Sequence, residues 1–85
     1  MYSQNVIVQS QNGLHAKAAG DFVQKANKFI SSVTVEVDGR SINAKSMLGL
    51  LSLGIYGGTD MMVVANGSDE HEAVTELINM VTSLS

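Results

Sequence analysis

A β-hairpin pattern near the middle of the chain constrains the fold more than any other stretch. Valines alternate with polar residues over 33–37, which is the two-residue period of a strand with one buried face. The pair Asp38-Gly39 follows directly, and such pairs favour a tight turn between antiparallel strands. We therefore predict that residues 40–44 return as a second strand, with Ile42 and Ala44 pointing inward.

Two longer segments have the period of amphipathic helices. The first is predicted to begin at His15 or Ala16 and to end at Lys28. The second begins at an N-cap, either Ser68 or Asp69, and has acidic residues in its first turn, where the helix dipole favours negative charge. Its predicted buried stripe consists of Ala73, Leu77, Ile78 and Val81.

Three shorter elements complete the predicted order. Residues 6–8 are a strand candidate, residues 47–53 form a short helix that is apolar nearly all round, and residues 60–66 form a strand. The last of these has two apolar faces, which indicates a central position in a sheet. The order β-α-β-β-α-β-α predicts an α+β fold in which one four-stranded antiparallel sheet carries three helices on one face and is solvated on the other.

The short helix also predicts a binding surface. A helix of this length can bury only one side against a sheet, so some of Met47, Leu48 and Leu51 should remain exposed. Exposed apolar clusters of this kind mark docking surfaces.

Composition excludes several classes of function. The 85 residues predict one domain over 1–85, and the net charge of -3 with five Lys and Arg residues argues against binding to nucleic acid. There is no cysteine, and the two histidines are too far apart in sequence to form a metal motif. No apolar run approaches the roughly 20 residues of a membrane span. We therefore expect a cytoplasmic protein with no signal peptide, no membrane insertion, no metal and no cofactor.

His15 and Lys17 are the candidate reactive residues, because they lie at the predicted opening turn of the first helix. Backbone N–H groups in such a turn lack partners and attract anions. His15 could accept a phosphoryl group on a ring nitrogen, with the N–H groups of Ala16 and Lys17 and the Lys17 ammonium holding its oxygens. The alternative is a helix-capping or partly buried histidine. His71, between two glutamates, is predicted to be a solvated helix residue.

Ser46 has two possible roles. It is the predicted N-cap of the short helix. It is also a candidate regulatory phosphosite, since a phosphate there would add about two negative charges beside Met47 and Leu48.

Taken together, these motifs resemble HPr, the histidine-containing phosphocarrier family of the bacterial sugar phosphotransferase system. The resemblance runs along nearly the whole chain and rests on Gly13-Leu14-His15-Ala16, on the Asp38-Gly39 hairpin, on the run from Asn43 to Gly54 and on the acidic start of the last helix. It implies an open-faced β-sandwich in which the Nδ1 of His15 accepts a phosphoryl group. The donor is then Enzyme I, itself charged by phosphoenolpyruvate, and the acceptor is a sugar-specific IIA domain. The protein would be a carrier and not an enzyme.

The resemblance also implies regulation and partner contacts. Lys45-Ser46-Met47 is similar to the form found in Gram-positive members, in which an HPr kinase/phosphorylase modifies the serine and the product binds a catabolite control protein. The residues expected to contact partners are Met47, Leu48, Leu51, Gly20 and Gln24.

The chain departs from the family pattern directly after the histidine, where Lys17-Ala18 replaces Arg-Pro. Lysine keeps the positive charge but lacks the planar fork that can hold phosphate bidentately, and Ala18 restores a backbone N–H. Two other functions stay open at this point. One is a regulatory module that acts mainly through phospho-Ser46 as a corepressor, and the other is a small-ligand-binding domain.

Overall fold

The computed structural model describes residues 1–14 and 16–84, which form four strands and three helices. The strands are β1 (Tyr2–Ile7), β2 (Ser32–Val37), β3 (Arg40–Asn43) and β4 (Asp60–Asn66). The helices are α1 (Ala16–Ala26), α2 (Met47–Ser52) and α3 (Glu70–Thr82). Their order along the chain is β-α-β-β-α-β-α, as predicted.

The sheet has the strand order β1-β4-β2-β3, and every neighbouring pair is antiparallel. The predicted central position of β4 is confirmed. The β2–β3 hairpin closes at the Val37–Arg40 pair, and the two turn residues have φ of 52° at Asp38 and 79° at Gly39. Positive φ at both positions is the requirement of the primed turns that match the twist of a hairpin.

One face of the sheet forms the core. Val33 and Val35 of β2 and Val63 of β4 are at most 1% exposed, and Phe22 of α1 and Leu77 of α3 are fully buried. Side chains one position along each strand point the other way and stay at least partly exposed, among them Asn5, Thr34, Glu36 and Ser41. The predicted α+β fold, a four-stranded antiparallel sheet with the helices on one face, is therefore confirmed.

Two predicted bounds were wrong by two residues or more. Strand β1 starts at Tyr2 and not at residue 6, because its polar first half pairs with β4 from the Tyr2–Ala65 pair onward. Helix α1 ends at Ala26 and not at Lys28. The next residues tighten into i→i+3 turns, with the Lys28 N–H donating to Lys25 O at 3.1 Å and the Phe29 N–H donating to Ala26 O at 3.3 Å.

Strand β3 ends at Asn43, one residue before the predicted end. Ala44 is nevertheless fully buried, and its N–H donates to Val33 O at 2.9 Å. Ile42 is half-buried opposite Val35, so the predicted inward positions are confirmed in direction.

The predicted buried stripe of α3 needs one correction. Ala73, Leu77 and Val81 are fully buried as predicted, but Val74 is buried where Ile78 was expected, and Ile78 is only half-buried. Helix α3 packs on β1 and β4, with Val74 rather than Ile78 on its buried side.

Asp69 occupies the N-cap position of α3, but its side chain makes no cap hydrogen bond. Its carboxylate instead accepts hydrogen bonds from the N–H groups of Ile30 and Ser31, both at 2.9 Å, and from the Ser31 hydroxyl. The Ser31 hydroxyl, with help from the Ile30 N–H, holds the pKa of Asp69 below its usual value of 3.8. Asp69 therefore ties the start of α3 to the segment that leads into β2.

This network predicts how stability depends on pH. Because the folded-state pKa of Asp69 is lowered, its contribution is complete above the usual carboxyl pKa and is lost as the pH falls through the lowered value. We expect Asp69→Asn to reduce the urea midpoint at pH 7 and to flatten its decline between pH 6 and pH 2.5. Urea unfolding followed by circular dichroism measures both.

The matched control is Asp60→Asn, which makes the same change in charge at a carboxylate that accepts a bond from the exposed Asn5 amide. An equal acid decline in Asp69→Asn and the wild type would contradict the role given to Asp69.

Candidate functional site

The loop that leads to the candidate site is anchored to the loop between α2 and β4. The Leu14 N–H donates to Ile55 O at 3.0 Å, and the Gly13 N–H donates to Ser10 O at 3.0 Å. The side chains of Leu14 and Ile55 are 2% and 3% exposed. The chain is therefore held firmly just before α1 begins.

Gly13 is required for this close approach. Its φ is 64°, a left-handed conformation that L side chains rarely adopt. A Cβ at this position would collide with Ile55 O and would lie 2.6 Å from the Cα of Tyr56. Both the backbone conformation and the lack of space demand glycine.

The predicted phosphoryl acceptor, His15, lies outside the described residues. What the structure describes is the helix that follows it. Ala16 is the first residue of α1, so the N–H groups of Ala16 and Lys17 belong to the first turn, where backbone donors have no carbonyl partner within the helix. The anion-attracting backbone donors predicted next to position 15 therefore lie in a helical first turn.

The cation expected at this site is present, but it is paired. The Lys17 side chain is 90% exposed, and its ammonium donates to Oδ2 of Asp21 at 3.0 Å, one helical turn further on. Of the residues expected to contact partners on α1, Gln24 is exposed and Gly20 is half-exposed. A Cβ at Gly20 would meet nothing within 4 Å, so this part of α1 faces open space.

Helix α2 carries the predicted exposed apolar residues. Leu48 is 81% exposed and Leu51 is 42% exposed, while Met47 is half-buried and Leu50 is fully buried. The prediction that some of this cluster remains exposed is confirmed. Ser46 is the N-cap, and its side-chain oxygen accepts a hydrogen bond from the Gly49 N–H at 3.1 Å.

The two regions meet in an open cleft of about 380 Å³. The cleft is lined by Gln11, Asn12, Leu14, Leu51, Gly54, Ile55 and Tyr56. It thus places the exposed side of α2 next to the residue that precedes position 15. We call Leu48, Leu51 and Tyr56 the apolar patch.

Sequence reasoning missed two residues of this region. Tyr56 lines the cleft and is 70% exposed. The signal for it in the sequence was an aromatic residue in a glycine-rich loop, a segment that favours exposure. Asp21 was overlooked because its partner, Lys17, was interpreted only as a phosphate ligand. The four-residue spacing of opposite charges would have revealed the pair.

Hydrogen bonds connect the end of α1 to the segment that leads into α2. The Asn27 side-chain amide donates to Val23 O at 2.9 Å and to Lys45 O at 3.2 Å, and the Lys45 ammonium donates to Phe29 O at 2.8 Å. These bonds join the end of α1 to the residue before Ser46. The orientation of α2 relative to α1 is therefore held by hydrogen bonds as well as by packing.

Comparison with known proteins shows the family to which this chain belongs. A family model described as the PTS HPr component phosphorylation site matches residues 2–83. The chain belongs to the HPr family. Its members are phosphocarriers and not enzymes, and they work within the phosphotransferase system with partners such as Enzyme I and IIA.

Individual relatives support both the family and the fold. The chain is 47% identical over 77 residues to the HPr-like protein Crh of Bacillus subtilis, with 91% of each chain covered. It is 39% identical over 84 residues to the phosphocarrier protein HPr of Haemophilus influenzae, with 99% of each chain covered. The crystal structure of HPr-C-His from Thermoanaerobacter tengcongensis matches with a TM-score of 0.95 and 40% identity, covering 98% of this chain and 93% of that chain.

Other chemistries have little support in the described part of the chain. No group of three or more His, Cys, Asp or Glu side chains within residues 1–14 and 16–84 could hold a metal ion. Over the same residues, no helix has the length and apolar character needed to span a bilayer. The exposed His71 stacks against Tyr2 with a ring-centroid distance of 4.3 Å, so it lies beside β1.

Gly13, in the loop before α1, and Gly20, within α1, provide a matched test of the loop geometry. We expect Gly13→Ala to reduce the free energy of unfolding by about 1–3 kcal/mol or more, because the added Cβ meets backbone atoms and the φ is unfavourable. Gly20→Ala should be neutral or stabilising by up to about 1 kcal/mol, since it removes a glycine from a helix with open space around it. Urea unfolding of both variants measures the difference, and equal stabilities would show that the close approach at Gly13 is not maintained.

Proposed function

We propose that this protein carries a phosphoryl group on His15, which it accepts from Enzyme I and passes to a sugar-specific IIA domain in the cytoplasm. The observation that carries the proposal is the match of the family's phosphorylation-site model over 2–83, together with the loop at Gly13 and Leu14 that delivers the chain to the start of α1. A carrier needs a reactive side chain at an open surface and no enclosed substrate pocket. Lys17, at 90% exposure, indicates that the surface around the first turn of α1 is open.

The transfer step needs only groups of this chain and its donor. The lone pair of Nδ1 of a neutral His15 ring forms a bond to phosphorus while the bond between phosphorus and the donor atom of Enzyme I breaks, and the electron pair of that bond stays with the donor. The first-turn N–H groups of Ala16 and Lys17 and the Lys17 ammonium then offset the charge on the phosphoryl oxygens. Transfer to the acceptor reverses these bond changes on a new partner.

The apolar patch is the proposed docking surface for both partners. Leu48, Leu51 and Tyr56 expose apolar side chains, and Leu51 and Tyr56 line the cleft that also contains Leu14. A partner bound there would cover apolar surface and would lie next to position 15. Half-buried Met47 and the open α1 surface at Gly20 and Gln24 would extend the contact.

The two histidines of the chain give a matched test of the acceptor. We expect His15→Ala to abolish labelling by Enzyme I and labelled phosphoenolpyruvate. His71→Ala should be labelled like the wild type, because His71 lies on α3 against Tyr2. The label should be acid-labile and base-stable, as expected of a phosphohistidine, and persistence of such a label in His15→Ala would refute the assignment.

Regulation at Ser46 is a second candidate function, and the cap geometry favours it. The Ser46 side chain is half-buried, it accepts the Gly49 N–H, and exposed Leu48 lies two residues further on. Phosphate on this oxygen would place about two negative charges beside the apolar patch. It would thereby change which partners dock there, discouraging Enzyme I and favouring a catabolite control protein after modification by an HPr kinase/phosphorylase. The similarity to Crh, the catabolite repression HPr of Bacillus subtilis, supports this role.

Ser46, the N-cap of α2, and Ser52, its last residue, provide a matched test of the regulatory site. With the kinase and ATP, Ser46→Ala should take up no label, and loss of the cap should reduce the free energy of unfolding by about 0.5–2 kcal/mol. Ser52→Ala should still be labelled, because Ser52 lies at the other end of the helix, where its hydroxyl donates to Gly49 O at 2.6 Å. Mass spectrometry locates the phosphate, and a phosphate that remains in Ser46→Ala would contradict this site.

A further inference from the structure

The pairing of Lys17 with Asp21 is unexpected for a helix that begins with a phosphate-binding turn. A cation in the first turn of a helix opposes the helix dipole, and a lysine that precedes its acidic partner by four residues is the less favourable order. The ion pair is nevertheless formed at 3.0 Å. A contribution to helix stability therefore does not explain why a lysine stands at position 17 and an aspartate at position 21.

Two other lysines of the chain have structural positions. The Lys45 ammonium donates to Phe29 O at 2.8 Å, and the Lys25 ammonium pairs with Glu76 at 2.8 Å across α1 and α3. Lys17 differs, because it lies in the first turn of α1 and is 90% exposed. It is therefore the cation best placed to move between two anionic partners.

The Lys17–Asp21 pair is also weak enough to be exchanged. Both side chains are largely solvated, at 90% and 49% exposure, and exposed pairs contribute little net free energy. A phosphoryl group carries more charge than a carboxylate and offers three acceptor oxygens. The ammonium can thus transfer from Asp21 to a phosphoryl group, but only in competition with the carboxylate.

We propose that Asp21 is a positioning residue that sets the phosphoryl-transfer potential of this carrier. It holds the Lys17 ammonium in the unloaded state and competes for it in the loaded state. The loaded form is consequently less stable than it would be with Lys17 unopposed, and the carrier is biased toward donating its phosphoryl group. The inference rests on the proposed carrier function of His15.

The equilibrium between phosphorylated Enzyme I and the phosphorylated carrier measures the stability of the loaded carrier directly. One N–P bond forms at His15 as the bond from phosphorus to the Enzyme I atom breaks, so a change in the stability of loaded carrier alters the ratio of the two labelled species. We expect Asp21→Asn to shift this ratio toward the loaded carrier by about two- to fivefold at low salt, the range typical of an exposed ion pair. The gain should be mostly lost in 1 M salt, where the screening length is about 3 Å.

Three further variants test whether the shift expected in Asp21→Asn arises from the Lys17–Asp21 ion pair. Asp21→Glu keeps the carboxylate and should resemble the wild type. Glu36→Gln makes the same change in net charge on the solvated face of the sheet, away from the helices, and should leave the ratio unchanged. In a Lys17→Met background, Asp21→Asn should have less than half of its original effect, because the carboxylate then has no ammonium to hold.

The outcomes separate this inference from the function on which it rests. If Enzyme I labels no form of the protein, the carrier function and the inference both fail. If all forms are labelled and Asp21→Asn has the wild-type ratio, the carrier function stands and the inference is overturned. The inference is also overturned if Glu36→Gln matches the gain or if the full gain persists in the Lys17→Met background.

Discussion

The apolar face of a four-stranded sheet is the constraint on which the rest of this structure depends. Met61, Val63 and Ala65 of the central strand β4 are fully buried beneath the helices, whereas side chains on the opposite face remain partly solvated. Burial of each large apolar side chain contributes about 1.5–3 kcal/mol. Because the opposite face is mostly polar and solvated, all three helices pack on the buried face. The loop before α1 and the loop after α2 come into contact beside this helical layer.

The candidate site lies beside this contact between the two loops. The loop at Gly13 and Leu14 must pass close to Ile55 to enter α1, and the glycine allows the two backbones to meet. The buried Leu14 thus lies shortly before a helix whose first turn carries the exposed Lys17. A firmly held loop next to a solvent-exposed surface suits the proposed carrier function, in which two partners bind in succession. The apolar patch on α2 and the following loop lies beside the same opening.

Asp69 and Asp21 have the same side chain but different structural roles. Asp69 accepts bonds from two backbone N–H groups and a hydroxyl, so it is part of the folded framework and its pKa is lowered. Asp21 instead pairs with the exposed Lys17 ammonium at the surface, where solvent screens the interaction. The first arrangement stabilises the fold, and the second leaves a cation exchangeable. A carrier that must release what it binds has a use for this weaker kind of contact.

Local patterns along the chain were sufficient to predict most of the fold. Alternating valines and Asp38-Gly39 predicted the β2–β3 hairpin, and Ser46 before an apolar run predicted the cap and helix α2, because strand periods, turn chemistry and caps depend on residues close in sequence. The polar start of β1 was missed, since its pairing with β4 joins residues some 60 positions apart.

The candidate site was likewise predicted in part from the sequence and decided in part by the tertiary structure. The reactive residues that we propose, His15, Lys17 and Ser46, were predicted from the sequence and the family resemblance. The tertiary structure decided that Leu51 and Tyr56 line one cleft with Leu14, that Asp69 bonds to the segment before β2, and that α3 buries Val74. These contacts depend on how distant elements pack, and a local pattern carries no information about which distant partner a side chain will meet.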